Sequence, residues 1–511
     1  MEPTDIFIIG GGVNGTGIAR DAAGRGLSVV LAERGDLAQA TSSASTKLFH
    51  GGLRYLEYFD IHLVREALRE RETLLVAMPH ISWPMRFVLP WHQDMRFESE
   101  TPASRLLARV MPWMKGQRPA WMIRMGLFFY DHLGGRKILP ATKKLDLEKD
   151  VAGSVLNPKF HLAYEYSDCW VEDARLVVLN ARDAEQRGAR IMTRTEVISA
   201  RREGDLWRVE TSDGTFHARA LVNAGGPWVE KIVKDTAQVA TREGIRLVRG
   251  SHIVVPKLYD HDRAYFFQGE DGRIVFAIPY EQDFTLIGTT DQDHHGDPSK
   301  PVCTPEEQDY LCAFVSKYFK KPVTRDQVVW TYSGVRPLYD DGAQAAQSAT
   351  REYVLSVNAD GPPILSVFGG KITTYRKLAE GALAKLTPFF PKATGPWTAR
   401  VALPGGDFGH DEVPKLRAAL RERYPFLTDV WAARLIRAYG TEAWQVLGEA
   451  TTAADLGRDF GATLTEAEIR WLMGHEYART AEDVVWRRSK LGLRLDEAQR
   501  TEIDNWMKGA V

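Results

Sequence analysis

Four apolar residues, Ile6-Phe7-Ile8-Ile9, run into Gly10-Gly11-Gly12-Val13-Asn14-Gly15 and then into a helical pattern. Read as strand, tight turn and helix, this segment contains G-x-G-x-x-G at Gly10, Gly12 and Gly15. The first glycine permits a sharp turn, and the second lets backbone approach a pyrophosphate. The third lets the helix pack closely on the strand, with the helix N–H groups facing the phosphates. A second apolar run, Leu27 to Ala32, ends in Glu33, eighteen positions after Gly15. A carboxylate there is placed to accept hydrogen bonds from a ribose hydroxyl. The chain is expected to bind an adenine dinucleotide, with Asn14 among the cofactor contacts.

With 511 residues the chain has material for two to four domains. Its 66 basic and 67 acidic residues leave a formal charge of −1, so no global field draws it to nucleic acid. Cys169, Cys303 and Cys312 show no C-x-x-C spacing, which points to a reducing compartment and no thiolate metal site. His475-Glu476 lacks the second histidine of a zinc helix, and His294-His295 lies in a polar turn, so no metal site is expected. Acidic Glu2 and Asp5 do not resemble a signal leader. No stretch reaches the roughly 18 apolar residues of a membrane span.

Strand and helix patterns recur in separated blocks. Residues 1–78, 170–235 and 350–400 read as a discontinuous nucleotide domain, with helices predicted at 61–78 and 173–187. Residues 79–169 and 236–349 lie between them. Alternation in Ser251–Val255, Ile274–Ile278 and Thr285–Gly288 predicts an antiparallel substrate-domain sheet. Beyond Pro404-Gly405-Gly406, residues 407–511 carry helical periodicity and few β-branched runs, and predict an all-helical C-terminal domain over 401–511.

The segment from Thr41 to Tyr55 packs hydroxyls, glycines and cations together with Leu48, Phe49 and Leu53. Hydroxyls suit pyrophosphate and ribityl groups, and glycines let backbone lie against a flat ring. In residues 40–60, and in Ser366–Leu378 with its Phe-Gly-Gly-Lys-Ile-Thr-Thr-Tyr-Arg-Lys-Leu, the sequence closely resembles the bacterial aerobic, FAD-dependent glycerol-3-phosphate dehydrogenases. Leu221–Val229, Gly250–Pro256 and Thr331–Pro337 carry the same resemblance. These enzymes belong to the larger glycine-oxidase and D-amino-acid-oxidase-like group, and the similarity covers nearly the whole chain. The implied fold is α/β plus α: a Rossmann-type FAD domain, an antiparallel substrate domain and a helical tail.

The resemblance implies oxidation of sn-glycerol 3-phosphate to dihydroxyacetone phosphate by hydride transfer to non-covalent FAD, with electrons passed to a membrane quinone. It implies cofactor contacts from Thr41, Ser42, Ser43, Ser45, Lys47, His50, Gly51, Gly52, Val197, Ala224, Gly225, Gly370 and Thr373. A phosphate dianion requires convergent cations, for which Arg54 and Arg336 are the candidates, with a hydroxyl from Tyr55. Lys371, at a helix start where its charge opposes the dipole, is expected to contact flavin, substrate or both. Proton removal calls for a group titrating near neutrality, and His252 is ranked ahead of His50 as the base. The other readings are an O2-reoxidised glycerol-phosphate or amino-acid oxidase and a non-catalytic flavin-bearing sensor of phosphate esters.

Residues Leu106–Tyr130 mix Arg109, Lys115, Arg118 and Arg124 with Trp113, Trp121 and several Met and Phe side chains. Such a stretch suits either contact with a bilayer surface or an ordinary buried helix with snorkelling arginines. The implied setting is cytoplasmic, peripheral on the inner face of the cell membrane, as a homodimer without nucleic acid.

Overall fold

The computed structural model describes residues 2–97, 101–111, 113, 116, 118–270, 272–340 and 353–510, leaving aside the Arg54 side chain. The expected strand–turn–helix is present. Strand Thr4–Ile9 leads through the glycine turn into helix Val13–Gly24. This strand sits centrally in a sheet ordered Val354–Asn358, Ile364–Phe368, Gly214–Asn223, Thr4–Ile9, Val29–Ala32, Arg190–Met192. All its neighbouring pairs are parallel except the edge strand Val354–Asn358, which runs antiparallel to Ile364–Phe368. Strands Val197–Glu203 and Leu206–Thr211 join it as an antiparallel extension.

Parallel strands buried on both faces read as continuous apolar runs, which is why Ile6–Ile9 and Ala220–Val222 do not alternate. Ile6 and Ile8 pack on one face with Ile18 and Ala22 of the first helix and Val177 and Ala181 of helix Asp173–Gln186. Phe7 and Ile9 pack on the other with Trp207, Val209 and Phe216. The predicted helices at 61–78 and 173–187 are found as Ile61–Ala77 and Asp173–Gln186.

The second sheet has the order Gln292–Asp293, Ile245–Pro256, Phe284–Gly288, Ile274–Tyr280, Ala264–Gln268, Ser82–Trp91, Leu162–Val171, Leu48–Phe49. Strand Trp330–Tyr339 lies antiparallel on Ile245–Pro256, and Lys143–Asp146 on Leu162–Val171. The period-2 pattern separates its two faces. Ile253, Val255, Val275, Ala277 and Ile287 pack under helix Pro305–Ser316. Val254, Ile278 and Leu286 share the opposite core with Leu68, Leu127 and Tyr130. Leu48–Phe49 pairs with Trp170–Cys169 in this sheet, although it lies within the stretch read as nucleotide domain. Two strand residues are too short a run to leave a periodic signature.

The tail is helical, with Val413–Arg423, Asp429–Tyr439, Glu466–His475 and Glu497–Gly509 enclosing a core around Leu435, Ile436, Leu464, Ile469 and Val484. Cys169, Cys303 and Cys312 are buried free thiols. No helix among the described residues is long and apolar enough to cross a membrane. The stretch 106–130 has both a buried and an exposed apolar side. Helix Ala120–Leu133 buries Ile123, Leu127 and Tyr130, while Trp121, Met125, Phe128 and Phe129 stay exposed beside Leu106, Val110 and Trp113. Pro112, Met114, Lys115 and Gln117 lie outside the described residues.

Candidate active site and cofactor cradle

Where the two sheets meet lies a cavity of about 1140 Å³. Its wall includes Gly10, Gly12 and Asn14 from the first turn, Glu33, and Thr41, Ser42 and Ser45. His50, Gly52, Tyr55, Val197, Ala224, Gly225, Arg336, Gly370, Lys371 and Thr373 line it too. Segments more than 360 positions apart in sequence thus form one continuous surface.

The glycine turn is cut to fit. Gly10 has φ +112°, and a β-carbon there would sit 2.6 Å from the Ala224 carbonyl oxygen. Gly15 does not reach the cavity. It lies beneath the turn, where a β-carbon would overlap the Gly10 carbonyl, so its role is the close helix–strand approach its position implied. Gly370 has φ +111°, and a β-carbon there would press to 2.9 Å from the Asn14 amide. Asn14 Nδ2 donates to the Gly369 carbonyl at 3.2 Å, while its buried Oδ1 has no hydrogen-bond partner. An orphaned polar atom on a cavity wall is a group awaiting a ligand.

Glu33 accepts from the Gly11 and Gly35 amides at 2.7 and 2.8 Å, which fixes its orientation. Burial pushes its carboxyl above the usual range. The Arg34 guanidinium stacks 4.1 Å from the Trp228 ring at the same end of the cavity. A glycine turn, a helix N-terminus, an oriented carboxylate and a hydroxyl-rich strap together fit an adenine dinucleotide of the FAD type.

At the other end, the Lys371 Nζ lies 3.9 Å above the centre of the Tyr55 ring. Arg336 faces the cavity with its guanidinium held by the Asp291 carboxylate and donating to the Thr289 hydroxyl at 3.1 Å. Gly250 makes this possible, because a side chain there would collide with the guanidinium. Gly52, Leu53 and Tyr55 are on the wall, and the Arg54 side chain lies outside those described.

Several expected contacts sit elsewhere. His252 is fully buried and is absent from the cavity wall. Its ring stacks on Tyr332 at 4.6 Å, and Nε2 is 3.0 Å from the Thr46 hydroxyl. Burial, reinforced by Arg336 and Lys47, holds its pKa well below 6.5. It lies behind Thr46 rather than on the cavity wall, whereas the sequence reading ranks it first as the base. Strand alternation told which face His252 shares, not what covers that face. The histidine on the wall is His50, whose amide donates to the Thr373 hydroxyl at 3.3 Å.

Lys47 is likewise buried away from the cavity, paired with Asp173 at 2.7 Å and donating to the Ser43 carbonyl at 3.1 Å. Ser43 also stays off the wall, its hydroxyl turned to the Ala40 carbonyl at 3.3 Å. Gly51 faces inward, its amide donating to the Tyr130 hydroxyl at 2.7 Å. That hydroxyl donates to Asp168, which Arg71 pairs at 2.6 Å, so a buried network braces the turn between His50 and Gly52. For these three residues, a polar side chain or glycine in the strap was read as facing the ligand. Their bonds in the structure run to Asp173, Ala40 and Tyr130.

Sequence reasoning missed Thr289, Thr290 and Asp291, which line the cavity beside Arg336, and Arg273 on the same wall. The run Gly-Thr-Thr-Asp just after strand Phe284–Gly288 was the available signal. Among the described residues no cluster of His, Cys, Asp and Glu could hold a metal ion.

The buried neutral state of His252 makes a prediction. The unfolded chain protonates this histidine near 6.5, while the folded chain resists protonation until well below that value. Its stabilising contribution is therefore present above pH 6.5 and lost as pH falls toward the depressed folded value. His80, also buried and crowded by Arg175 and Arg437, acts in the same direction. The thermal unfolding midpoint should drop steadily between about pH 6.5 and pH 5. His252→Asn should flatten that slope, and an identical slope in the variant would reject the assignment.

Residues 5–376 match the family described as FAD dependent oxidoreductase, and residues 396–505 match the C-terminal domain of alpha-glycerophosphate oxidase. The aerobic glycerol-3-phosphate dehydrogenase of Escherichia coli (strain K12) is 48% identical over 515 residues, spanning 99% of this chain and 98% of that protein. The D-erythritol 1-phosphate dehydrogenase of Brucella abortus (strain 2308) is 47% identical, spanning 100% and 98%. The X-ray structure of the glycerol-3-phosphate dehydrogenase from Bacillus halodurans complexed with FAD aligns with a TM-score of 0.71 at 25% identity, covering 99% of this chain and 94% of that one. The chain belongs to the FAD dependent oxidoreductases, in the branch that includes aerobic glycerol-3-phosphate dehydrogenase.

Proposed function

We propose that this protein oxidises sn-glycerol 3-phosphate to dihydroxyacetone phosphate with non-covalent FAD, and that the electrons pass on to a membrane quinone. The observation that carries this reading is one cavity joining a dinucleotide cradle at Glu33 to a cationic end at Arg336 and Lys371, in a chain alike over its full length to glycerol-3-phosphate dehydrogenases. When bound, FAD supplies the two-electron acceptor for the hydride leaving C2.

The chain's own residues do the rest. Arg336 offers a planar donor fork to the phosphate, with Asp291 and Thr289 setting its direction. Lys371 adds a second positive charge, steadied against the Tyr55 ring. His50 is the wall histidine able to take the proton of the C2 hydroxyl. The Tyr130–Asp168–Arg71 network holds the turn that carries it.

Anaerobic titration of the purified holoenzyme tests this reading. The flavin absorbance should bleach with glycerol 3-phosphate and stay unchanged with glycerol, glycine or D-alanine. Bleaching by an amino acid alone would overturn the substrate. The similarity to a D-erythritol 1-phosphate dehydrogenase favours a second reading, a four-carbon polyol phosphate, so that ester belongs in the same titration. Fast reoxidation by O2 rather than by a quinone would instead identify an oxidase.

The same reading puts the protein on the inner face of the cell membrane as a homodimer, docked through the exposed apolar side chains around Trp113, Trp121 and Phe128. Burying a large apolar side chain contributes about 1.5–3 kcal/mol. Replacing Trp121 and Phe128 by Ala should therefore weaken vesicle flotation at least about tenfold. Unchanged flotation would move the membrane contact to another surface.

A further inference from the structure

Two loops border the Glu33 end of the cavity: Glu33–Gln39 and Arg194–Val197. Backbone hydrogen bonds join them into one clasp, from the Arg194 amide to the Gly35 carbonyl and from the Thr195 amide to the Glu33 carbonyl, both at 2.8 Å. Each loop also sends one charged side chain away from the cavity into the C-terminal domain. Asp36, 2% exposed, accepts from Arg487 Nε at 2.6 Å and from Arg488 Nη2 at 2.8 Å. Arg194 pairs with Asp483 at 2.6 Å. Asp483 in turn holds Arg487 at 2.5 Å and accepts from the Arg479 and Thr480 amides at 2.8 and 2.9 Å. Arg488 is anchored on the Glu476 carbonyl at 2.9 Å. Asp36, Arg194, Asp483, Arg487 and Arg488, from three segments, thus form one ion network, with Glu482 at its solvent edge 3.5 Å from Arg487; of the five only Arg194 is substantially exposed.

Mere docking of a helical domain does not call for such a network. Buried ion pairs often stabilise no more than apolar contacts of the same volume, but they tolerate only one geometry. Here the geometry they fix is that of the clasp bearing Glu33. We propose that segment Asp483–Arg488 of the C-terminal domain is a positioning element for the adenosine end of the cofactor site, so that FAD binding and docking of this domain are coupled. The inference rests on the reading that Glu33 receives the ribose of FAD. Coupling between two sites is reciprocal: what the domain does for FAD affinity, FAD does for the docking of the domain.

The test uses the full-length protein, stripped of flavin and titrated with FAD. Asp36→Asn should weaken FAD binding at least about tenfold, while Arg423→Gln, at an exposed pair in the same domain, should leave it unchanged. FAD should also slow amide exchange across 479–490 in the parent protein, and this protection should shrink in Asp36→Asn. Should Asp36→Asn not fold, Arg194→Gln cuts the other limb of the network and is read in the same way. FAD affinity within twofold of the parent, or no FAD-dependent protection of 479–490, overturns the proposal. Glu33→Ala separates the two ideas. If it weakens FAD and Asp36→Asn does not, the coupling fails alone; if Glu33→Ala leaves FAD binding intact, the ribose reading fails and the proposal with it.

Discussion

Gly15→Ala should yield a protein that carries essentially no flavin after purification. The added methyl group would overlap the Gly10 carbonyl oxygen and come within 3.4 Å of the Ala224 side chain. Neither neighbour can yield: the Gly10 N–H donates a hydrogen bond to the Ala32 carbonyl at 2.9 Å, and the Ala224 N–H to the Ile9 carbonyl at 2.9 Å. The start of helix Val13–Gly24 must therefore lift off the strand and carry Asn14 away from Gly369. Overpacking of this kind costs about 1–3 kcal/mol. Misplacement of the helix N-terminus adds lost phosphate contacts, so FAD affinity should fall by about 100-fold or more. The ratio of flavin to protein absorbance checks this directly, and a normal ratio would mean that the turn does not cradle the cofactor.

The second large effect is expected from Arg336→Gln. The change removes the cation proposed to seat the phosphate and also leaves the Asp291 carboxylate facing the cavity without its guanidinium partner. Truncating one member of such a pair costs about 2–5 kcal/mol. The value of kcat/KM for glycerol 3-phosphate should then fall by about 30- to 5000-fold, mainly through KM, with the flavin content intact. Arg336→Lys restores the charge without the planar fork, so it should recover only part of the loss. A flavin-loaded Arg336→Gln enzyme with near-normal KM would move the phosphate to another part of the wall.

Legibility in the sequence followed how local the physics is. The glycine turn, the helix behind it and Glu33 were readable because adjacent residues fix them: apolar run, sharp turn, helix, second apolar run. The alternating strands around Ile253, Ala277 and Leu286 were readable for the same reason, as was the helical tail. The strap Thr41–Tyr55 was only half legible. Its polar residues suggested a ligand, but Lys47, Ser43 and Gly51 turn inward to Asp173, Ala40 and Tyr130. A hydroxyl or ammonium group satisfies its bonding needs equally well with protein as with ligand, and nothing nearby in the chain reveals which.

The histidines show the same boundary. His50 and His252 are both plausible bases as sequence, yet one lies on the cavity wall and the other behind it, kept neutral by burial. The sequence by itself determined that a dinucleotide turn, a parallel nucleotide sheet, an antiparallel partner sheet and a helical tail would form, because propensity and periodicity act over a few residues. Only the tertiary structure decided which polar groups share the cavity, that Asp291 directs Arg336, and that Arg487 and Arg488 reach across to Asp36. Those pairings join residues tens to hundreds of positions apart, and their energies depend on burial and distance, which exist only once the chain has folded.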